Sequence, residues 1–108
     1  MDRKKVVFIS SAYRGDIEKN VEMARRYCRM AADRGVVPIA PHLFLPSFID
    51  EETERDMAIG MDRDILDRCD ELWCCGSRMT DGMAAEFDRA VETGKKVRFF
   101  TEEELCTE

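Results

Sequence analysis

The sequence predicts an α/β fold built around a doubly wound parallel sheet. Four short apolar runs alternate with three segments of helical periodicity, and this alternation is typical of parallel strands joined by right-handed helical crossovers. Two of the runs also carry a residue that suits only an edge strand. Together these observations predict the strand order 2-1-3-4, with the first and third strands in the centre.

Each predicted strand can be placed from its residues. The second run contains Pro38, which has no N–H group to donate to a ladder, and the fourth contains the charged Arg98. Both runs are therefore expected at the edges of the sheet. The other two are largely apolar, as expected for strands buried on both faces. The four runs are Lys5 to Ser10, Val36 to Ala40, Glu71 to Cys75 and Val97 to Phe100.

Three main helices are predicted between these strands. Asp16 is suited to cap the first helix and Gly35 to end it. The second helix is expected to begin near Asp50 and the third near Thr80. One apolar face of the second helix is expected to comprise Met57, Ala58, Met61, Ile65, Leu66 and Cys69.

Composition favours one soluble domain over residues 1–108, with an unassigned acidic tail at residues 101–108. The chain is 44% hydrophobic and 37% charged, with a net charge of −6. A nucleic acid polymer is not expected as a partner, because binding its phosphates requires a dense basic face. No apolar run approaches the ~20 residues of a membrane span, and no signal peptide is recognisable. A cytoplasmic location is therefore expected.

The five cysteines are interpreted as reduced thiols. Their number is odd and their spacing does not match that of a metal site, so neither a disulfide framework nor a bound metal is expected. The neighbours Cys74 and Cys75 are expected on opposite faces of the third strand. The full set is Cys28, Cys69, Cys74, Cys75 and Cys106.

The strand order also predicts where a ligand would bind. In doubly wound sheets of the Rossmann and flavodoxin type, a crevice opens beyond the carboxyl ends of the strands where the winding reverses. Here the crevice is expected between the turns Ser10 to Asp16 and Gly76 to Asp81. Arg14 and Arg78, one in each turn, could hold a phosphate or a carboxylate. Either turn alone is also consistent with an ordinary strand-to-helix connection.

Two carboxylates are candidates for chemistry. Asp62 has apolar residues at its neighbouring helical positions, and a carboxylate on an apolar face needs a partner or a chemical role. Glu86 lies at the edge of the apolar stripe of the third helix, within reach of the crevice; a simple interaction with the helix dipole is the alternative. For the single histidine, His42, a structural or surface role is favoured. Asn20 and Arg55 could face either the crevice or solvent.

These segments resemble the nucleoside 2-deoxyribosyltransferase superfamily, particularly a small branch of uncharacterised bacterial and phage proteins. The resemblance covers the chain from Val6 to about Phe100. It is carried by Phe8 to Gly15, by Asp62, and by Asp81 to Glu86. A Gly-x-x-x-Glu turn together with an upstream aspartate is more specific than either feature alone. Within the superfamily, Arg14-Gly15 looks more like the deoxynucleoside 5′-monophosphate N-hydrolases, in which a phosphate is held.

The resemblance implies cleavage of the N-glycosidic bond of a small nucleoside or nucleotide, without a cofactor. It implies catalytic roles for Glu86, Asp62 and Tyr13, with Glu86 as the nucleophile that attacks the anomeric carbon. Because family members pair subunits to complete the site, a homo-oligomer is also expected. Substrate-binding roles are implied for Ser11, Arg14, Gly15, His42, Ser77, Arg78, Gly82 and Met83.

The same sequence features are also compared with other functions of this fold class and with different acceptors of the sugar. A non-catalytic nucleotide-binding or sensor module on the same fold would keep the pocket without turnover. The acceptor of the sugar, water or a second base, is left open, because Phe87-Asp88 stands where characterised members usually have a small glycine. A phospho-acceptor receiver domain does not fit, because Ser10-Ser11 ends the first strand without the acid pair that such domains need.

Overall fold

The computed structural model describes the backbone of residues 3–107 and the side chains of residues 3–105. It contains a four-stranded parallel sheet with the order β2-β1-β3-β4, which confirms the predicted topology. Pro38 and Arg98 both lie in edge strands, where a missing ladder bond or a charge is tolerated. The strands are β1 (Val6–Ser10), β2 (Val37–Ile39), β3 (Glu71–Cys75) and β4 (Lys96–Phe100).

Three α-helices connect the strands in the described part of the chain: α1 (Ile17–Asp33), α2 (Arg55–Arg68) and α3 (Asp81–Glu92). Asp16 caps α1 by accepting a hydrogen bond from the backbone N–H of Lys19, as predicted. The chain leaves α1 through Gly35, whose φ of 89° lies in the left-handed region. Thr80 caps α3 in the same way as Asp16 caps α1. Short 3-10 helices occupy Pro41–Leu43, Leu45–Ser47 and Glu102–Thr107.

Helix α2 begins later than the sequence pattern predicts. Asp50 initiates a turn, in which its Oδ1 accepts hydrogen bonds from the backbone N–H groups of Glu52 and Thr53 at 2.9 and 3.3 Å. The Glu54 side chain in turn accepts a hydrogen bond from the backbone N–H of Asp50 at 3.0 Å. These side-chain bonds offer the backbone an alternative to helical pairing, so the helix starts only at Arg55.

The buried face of α2 is also narrower than predicted. Ala58 and Leu66 are buried, whereas Met57 and Met61 are 49% and 38% exposed. The covered row therefore follows an i, i+4, i+8 spacing, the positions that stack on one side of a helix. Asp62 occupies the middle of this row, as its apolar neighbours in the sequence indicate.

Alternating side chains of the central strands form one core on each face of the sheet. Helix α1 covers the face that carries Val7, Ile9, Trp73 and Cys75. Helices α2 and α3 cover the face that carries Phe8, Leu72 and Cys74. Cys74 and Cys75 thus point to opposite faces, which confirms the prediction from their adjacency. The second face is the one on which the carboxyl-bearing helices lie.

The cysteines with described side chains, Cys28, Cys69, Cys74 and Cys75, are free. Burial raises the pKa of Cys28, Cys69 and Cys74 to about 11, so these thiols are protonated and unreactive at neutral pH. The side chain of Cys106 lies outside the described residues.

The acidic tail after β4 contributes to the core on the α1 side of the sheet. Part of the acidic tail forms the last 3-10 helix, and its Leu105 packs against the core on the α1 side. Residues 1, 2 and 108 of the predicted domain lie outside the described part of the chain. None of the described helices has the length and apolar character needed to cross a membrane.

Candidate active site

A cavity of about 510 Å³ opens at the carboxyl edge of the sheet, where the strand order predicts a site. The turn after β1 and the 3-10 segment after β2 form one side of it. One face of α2 and the first turns of α3 form the other side. Its size falls within the range of ~300–1,000 Å³ that is usual for small-molecule pockets.

Two carboxyl groups meet in this cavity. Asp62 of α2 and Glu86 of α3 are in hydrogen-bond contact. The Glu86 carboxyl also accepts a hydrogen bond from the Ser10 hydroxyl, with Oγ 2.6 Å from Oε1. Ser10 is the last residue of β1, so a central strand and two helices converge on one glutamate.

The surroundings of the pair favour one shared proton. Burial and the Asp62 carboxyl raise the pKa of Glu86 well above its ordinary value, and the bond from Ser10 partly opposes that rise. Asp62 Oδ1 is buried, and no described group donates a hydrogen bond to it when both carboxyls are ionised. A proton on either group turns their contact into a hydrogen bond and satisfies this oxygen. When the two carboxyls share one proton, the pair contains one protonated group and one ionised carboxylate in direct contact.

Tyr13 and His42 form an aromatic wall in the same cavity. Their ring centroids are 4.6 Å apart and their planes are tilted by 38°. Burial raises the pKa of Tyr13, so its phenol stays protonated. Burial also lowers the pKa of His42 and outweighs the opposing effect of Asp62 and Glu51, which favours the neutral imidazole. Rings of this kind can stack on a flat heterocycle.

Asn20 braces the turn between β1 and α1. Its side-chain amide donates hydrogen bonds to the carbonyl oxygens of Tyr13 and Arg14, at 2.9 and 3.0 Å. Gly15 adopts a φ of 99°, which L side chains rarely take, and this lets the chain turn directly into α1. The amide and the glycine thus set the path of the backbone that carries Tyr13 and Arg14 into the cavity.

Four arginines line the cavity: Arg14, Arg55, Arg63 and Arg89. Arg89 is held by Asp67 through two bonds of 2.9 and 2.8 Å, which connect α3 to α2. This contact keeps the pKa of Asp67 below its usual range. The other three guanidinium groups form no ion pair with any described residue. They are free to bind an anionic group of a ligand.

A family model described as a domain of unknown function, DUF7768, matches residues 5–100. The chain belongs to the DUF7768 family. No curated protein sequence matches it.

Solved structures show what the DUF7768 fold is similar to. The 2-deoxyribosyltransferase of Bacillus psychrosaccharolyticus matches with a TM-score of 0.64 and 20% identity, over 89% of this chain and 72% of that one. A 2-deoxyribosyltransferase from Leishmania mexicana matches with a TM-score of 0.64 and 18% identity, over 90% of this chain. The DUF7768 chain spans 64% of the Leishmania protein. At these identities the likeness shows a shared fold.

Most of the site residues predicted for this DUF7768 protein line the cavity. They are Ser11, Tyr13, Arg14, His42, Asp62, Gly82, Met83 and Glu86. His42 therefore lies in the cavity wall, although its sequence context favours a structural or surface role. Gly15, Ser77 and Arg78 do not line the cavity, and Ser77 and Arg78 are exposed on the turn after β3.

Sequence reasoning missed several residues of the DUF7768 cavity. The strand pattern places Ser10 at the crevice, at the end of β1, but it does not predict a function for this residue. No role is predicted for Glu51 or Arg63, and the sequence is compatible with Arg55 facing either the crevice or solvent. Helical spacing could have identified the α2 residues, because the positions that line the cavity recur around Asp62 on one side of the helix. These positions are 55, 58, 59, 62, 63 and 66.

The available groups suit carboxylate chemistry. A carboxyl pair can transfer a proton, stabilise a developing cation, or trap an electrophilic carbon covalently. Among the described side chains, no group of three or more histidines, cysteines or acidic residues is placed to hold a metal ion.

Proposed function

We propose that this DUF7768 protein cleaves the N-glycosidic bond of a small nucleoside or nucleotide, with Glu86 as the nucleophile. The observation that carries the proposal is the contact between the half-buried residues Asp62 and Glu86 inside the cavity. The fold shared with two 2-deoxyribosyltransferases supports it. Breaking this bond builds positive charge on the sugar, and a carboxylate can stabilise or trap that charge.

The proposed first step forms a glycosyl ester. The ionised Glu86 attacks the anomeric carbon while the C–N bond breaks, and the base leaves with the bonding electrons. Asp62 or water supplies the proton that the departing base takes up. Water or a second base then attacks the anomeric carbon and gives up its proton to Asp62 or to solvent, while the ester bond breaks and Glu86 returns as a carboxylate. Hydrolysis and base exchange share the first step, so the carboxyl pair serves both.

The other cavity residues suit the remaining parts of such a substrate. The rings of Tyr13 and His42 provide a stacking surface for the base. Arg14, Arg55 and Arg63 provide positive charge for a phosphate, although the protein as a whole carries a net charge of −6. We therefore expect a nucleoside 5′-monophosphate to bind more tightly than the corresponding nucleoside.

The test is a panel of deoxynucleosides and their 5′-monophosphates, with chromatography to detect free base. We expect at least one substrate to release its base. Glu86→Gln should slow the release by at least ~10³-fold, because the nucleophile is lost. Asp88→Asn is the matched control, since Asp88 is an exposed acid of α3 that does not line the cavity.

The possible outcomes separate the competing functions. Release that survives Glu86→Gln would remove Glu86 as the nucleophile and leave the enzyme class intact. Absence of release from every substrate, with nucleotides still stabilising the fold, would favour a non-catalytic binding module. The homo-oligomer and the cytoplasmic location stay predictions; light scattering of the purified protein tests the first.

A further inference from the structure

Ser10 connects the central strand of the sheet directly to the proposed nucleophile. Its side chain is buried, with a relative exposure of 1%. Its hydroxyl donates to Glu86 Oε1 at 2.6 Å, a short distance typical of an O–H group bound to a charged acceptor. The two residues are 76 positions apart in the chain, so the contact exists only in the folded protein.

The strand leaves Ser10 little freedom to point elsewhere. β1 pairs with β2 on one side and with β3 on the other, and Ser10 is in register with Cys74. Alternation along β1 places Ser10 on the same face as Phe8, which packs on the α2–α3 side. Glu86 approaches that face from α3. The donor is thus held by the sheet itself.

We infer that Ser10 is a positioning residue, which fixes the Glu86 carboxylate for attack and favours its ionised form. This inference rests on the proposed function. The physical reason is that a hydroxyl donating to a carboxylate stabilises the charged state. The bond therefore favours the form of Glu86 that the proposed attack requires.

The electrostatic effects on Glu86 have opposite directions. The bond from Ser10 lowers the pKa of Glu86, whereas burial and Asp62 raise it. On β3, burial raises the pKa of Cys74 to about 11, and the Glu86 charge adds to that rise. The titratable and charged groups around Glu86 are Arg55, Asp62 and Arg63 on α2, Asp81 and Arg89 on α3, Cys74 on β3, and Tyr13, Arg14, His42 and Glu51 in the cavity wall.

Ser10→Ala tests the inference because it removes the donor and keeps a small side chain. We expect the acidic limb of the pH profile of kcat/KM to move up by about one to two pH units, the shift that corresponds to loss of a hydrogen bond to a charged group. Below that limb, kcat should fall by about 10- to 100-fold, and KM should stay within about twofold. An unchanged pH profile would overturn the inference.

A second readout does not depend on turnover. Carboxyl-carbon NMR follows the titration of Glu86 directly, with Glu86→Gln identifying its signal. In Ser10→Ala this titration should move to higher pH. If no substrate releases its base, the proposed function fails while the titration still decides whether Ser10 controls the charge of Glu86. A titration unchanged by Ser10→Ala rejects that control whether or not base is released.

Two further variants separate positioning from packing. Val7→Ala removes a buried side chain of the same strand that faces the α1-side core. It should lower stability and leave the Glu86 titration unchanged. If Ser10→Ala does not fold, Ser10→Cys decides, because a thiol is of similar size and a weaker donor. It should give an upward shift smaller than about one to two pH units, and no shift would count against the inference.

Discussion

Asp62 is the residue at which stability and the proposed chemistry oppose each other most directly. It lies in the buried row of α2, between Ala58 and Leu66. Its carboxyl contacts that of Glu86, and two buried carboxylates repel unless they share a proton. Folding free energy is therefore lost at this site at pH values where both groups ionise. We expect such an unfavourable pair where chemistry requires it.

Asp62→Asn should relieve this repulsion. The amide of asparagine can donate to Glu86 without adding a charge, so the pKa of Glu86 should fall. The free energy of unfolding at pH 8 should rise by about 1–2 kcal/mol, while base release slows by about 10²- to 10⁴-fold. Urea denaturation and the release assay measure the two effects. Asp64→Asn, at an exposed position of the same helix, should change neither. A variant that loses stability at pH 8 would contradict the shared-proton interpretation.

Helix α2 arranges charge along the cavity. Arg55 and Arg63 both line the cavity and are eight positions apart, which is about 12 Å along the helix axis. Asp62 lies between them, close to Arg63 in sequence. The helix thus presents positive groups on both sides of a carboxyl, which suits a ligand with a phosphate at a distance from its reacting carbon.

Arg55→Ala should selectively weaken the binding of phosphorylated ligands. Loss of a charge-assisted hydrogen bond predicts a Kd for a deoxynucleoside 5′-monophosphate that is about tenfold higher. The Kd of the unphosphorylated nucleoside should not change. Titration calorimetry measures both ligands, and Arg68→Ala provides an exposed arginine of the same helix outside the cavity. Equal losses for both ligands would argue against a phosphate contact at Arg55.

The pH dependence of stability is a property of the whole molecule, to which individual groups contribute with opposite signs. Glu86 has a raised pKa in the folded state, so its contribution is present at acidic pH and is lost as the pH rises through the folded pKa. Asp67 has a lowered pKa because Arg89 binds it, so its contribution is lost as the pH falls. Burial lowers the pKa of His42, and its contribution therefore grows as the pH rises.

Glu86→Gln isolates the first of these contributions. Between pH 5 and pH 8 the wild-type protein should lose stability relative to the variant, because its folded state keeps a proton on Glu86 that the unfolded chain releases. Urea midpoints at several pH values, converted with a common m-value, give the difference. The contributions of Asp67 and His42 are present in both proteins and cancel. If the unfolding free energies of the two proteins change in parallel with pH, the pKa of Glu86 is not raised in the folded state.

Local properties of the sequence determined the fold and the location of the site. Proline or charge marks the edge strands, uninterrupted apolar residues mark the central ones, and the resulting order predicts a crevice at the carboxyl edge. The environment of Asp62 was also readable, because helical periodicity reports which face a residue occupies. The start of α2 was not, since the turn at Asp50 depends on specific side-chain bonds that compete with a helix.

Tertiary structure alone decided which groups within the crevice meet. Ser10 and Glu86 are 76 positions apart, and Asp62 and Glu86 lie on different helices. Periodicity assigns each residue to a face, but the distance between side chains on two faces depends on how α2 and α3 pack against the sheet. Packing therefore brings together the carboxyl pair, its donor Ser10, and the wall formed by Tyr13 and His42. The strand pattern by itself locates the crevice in which these groups meet.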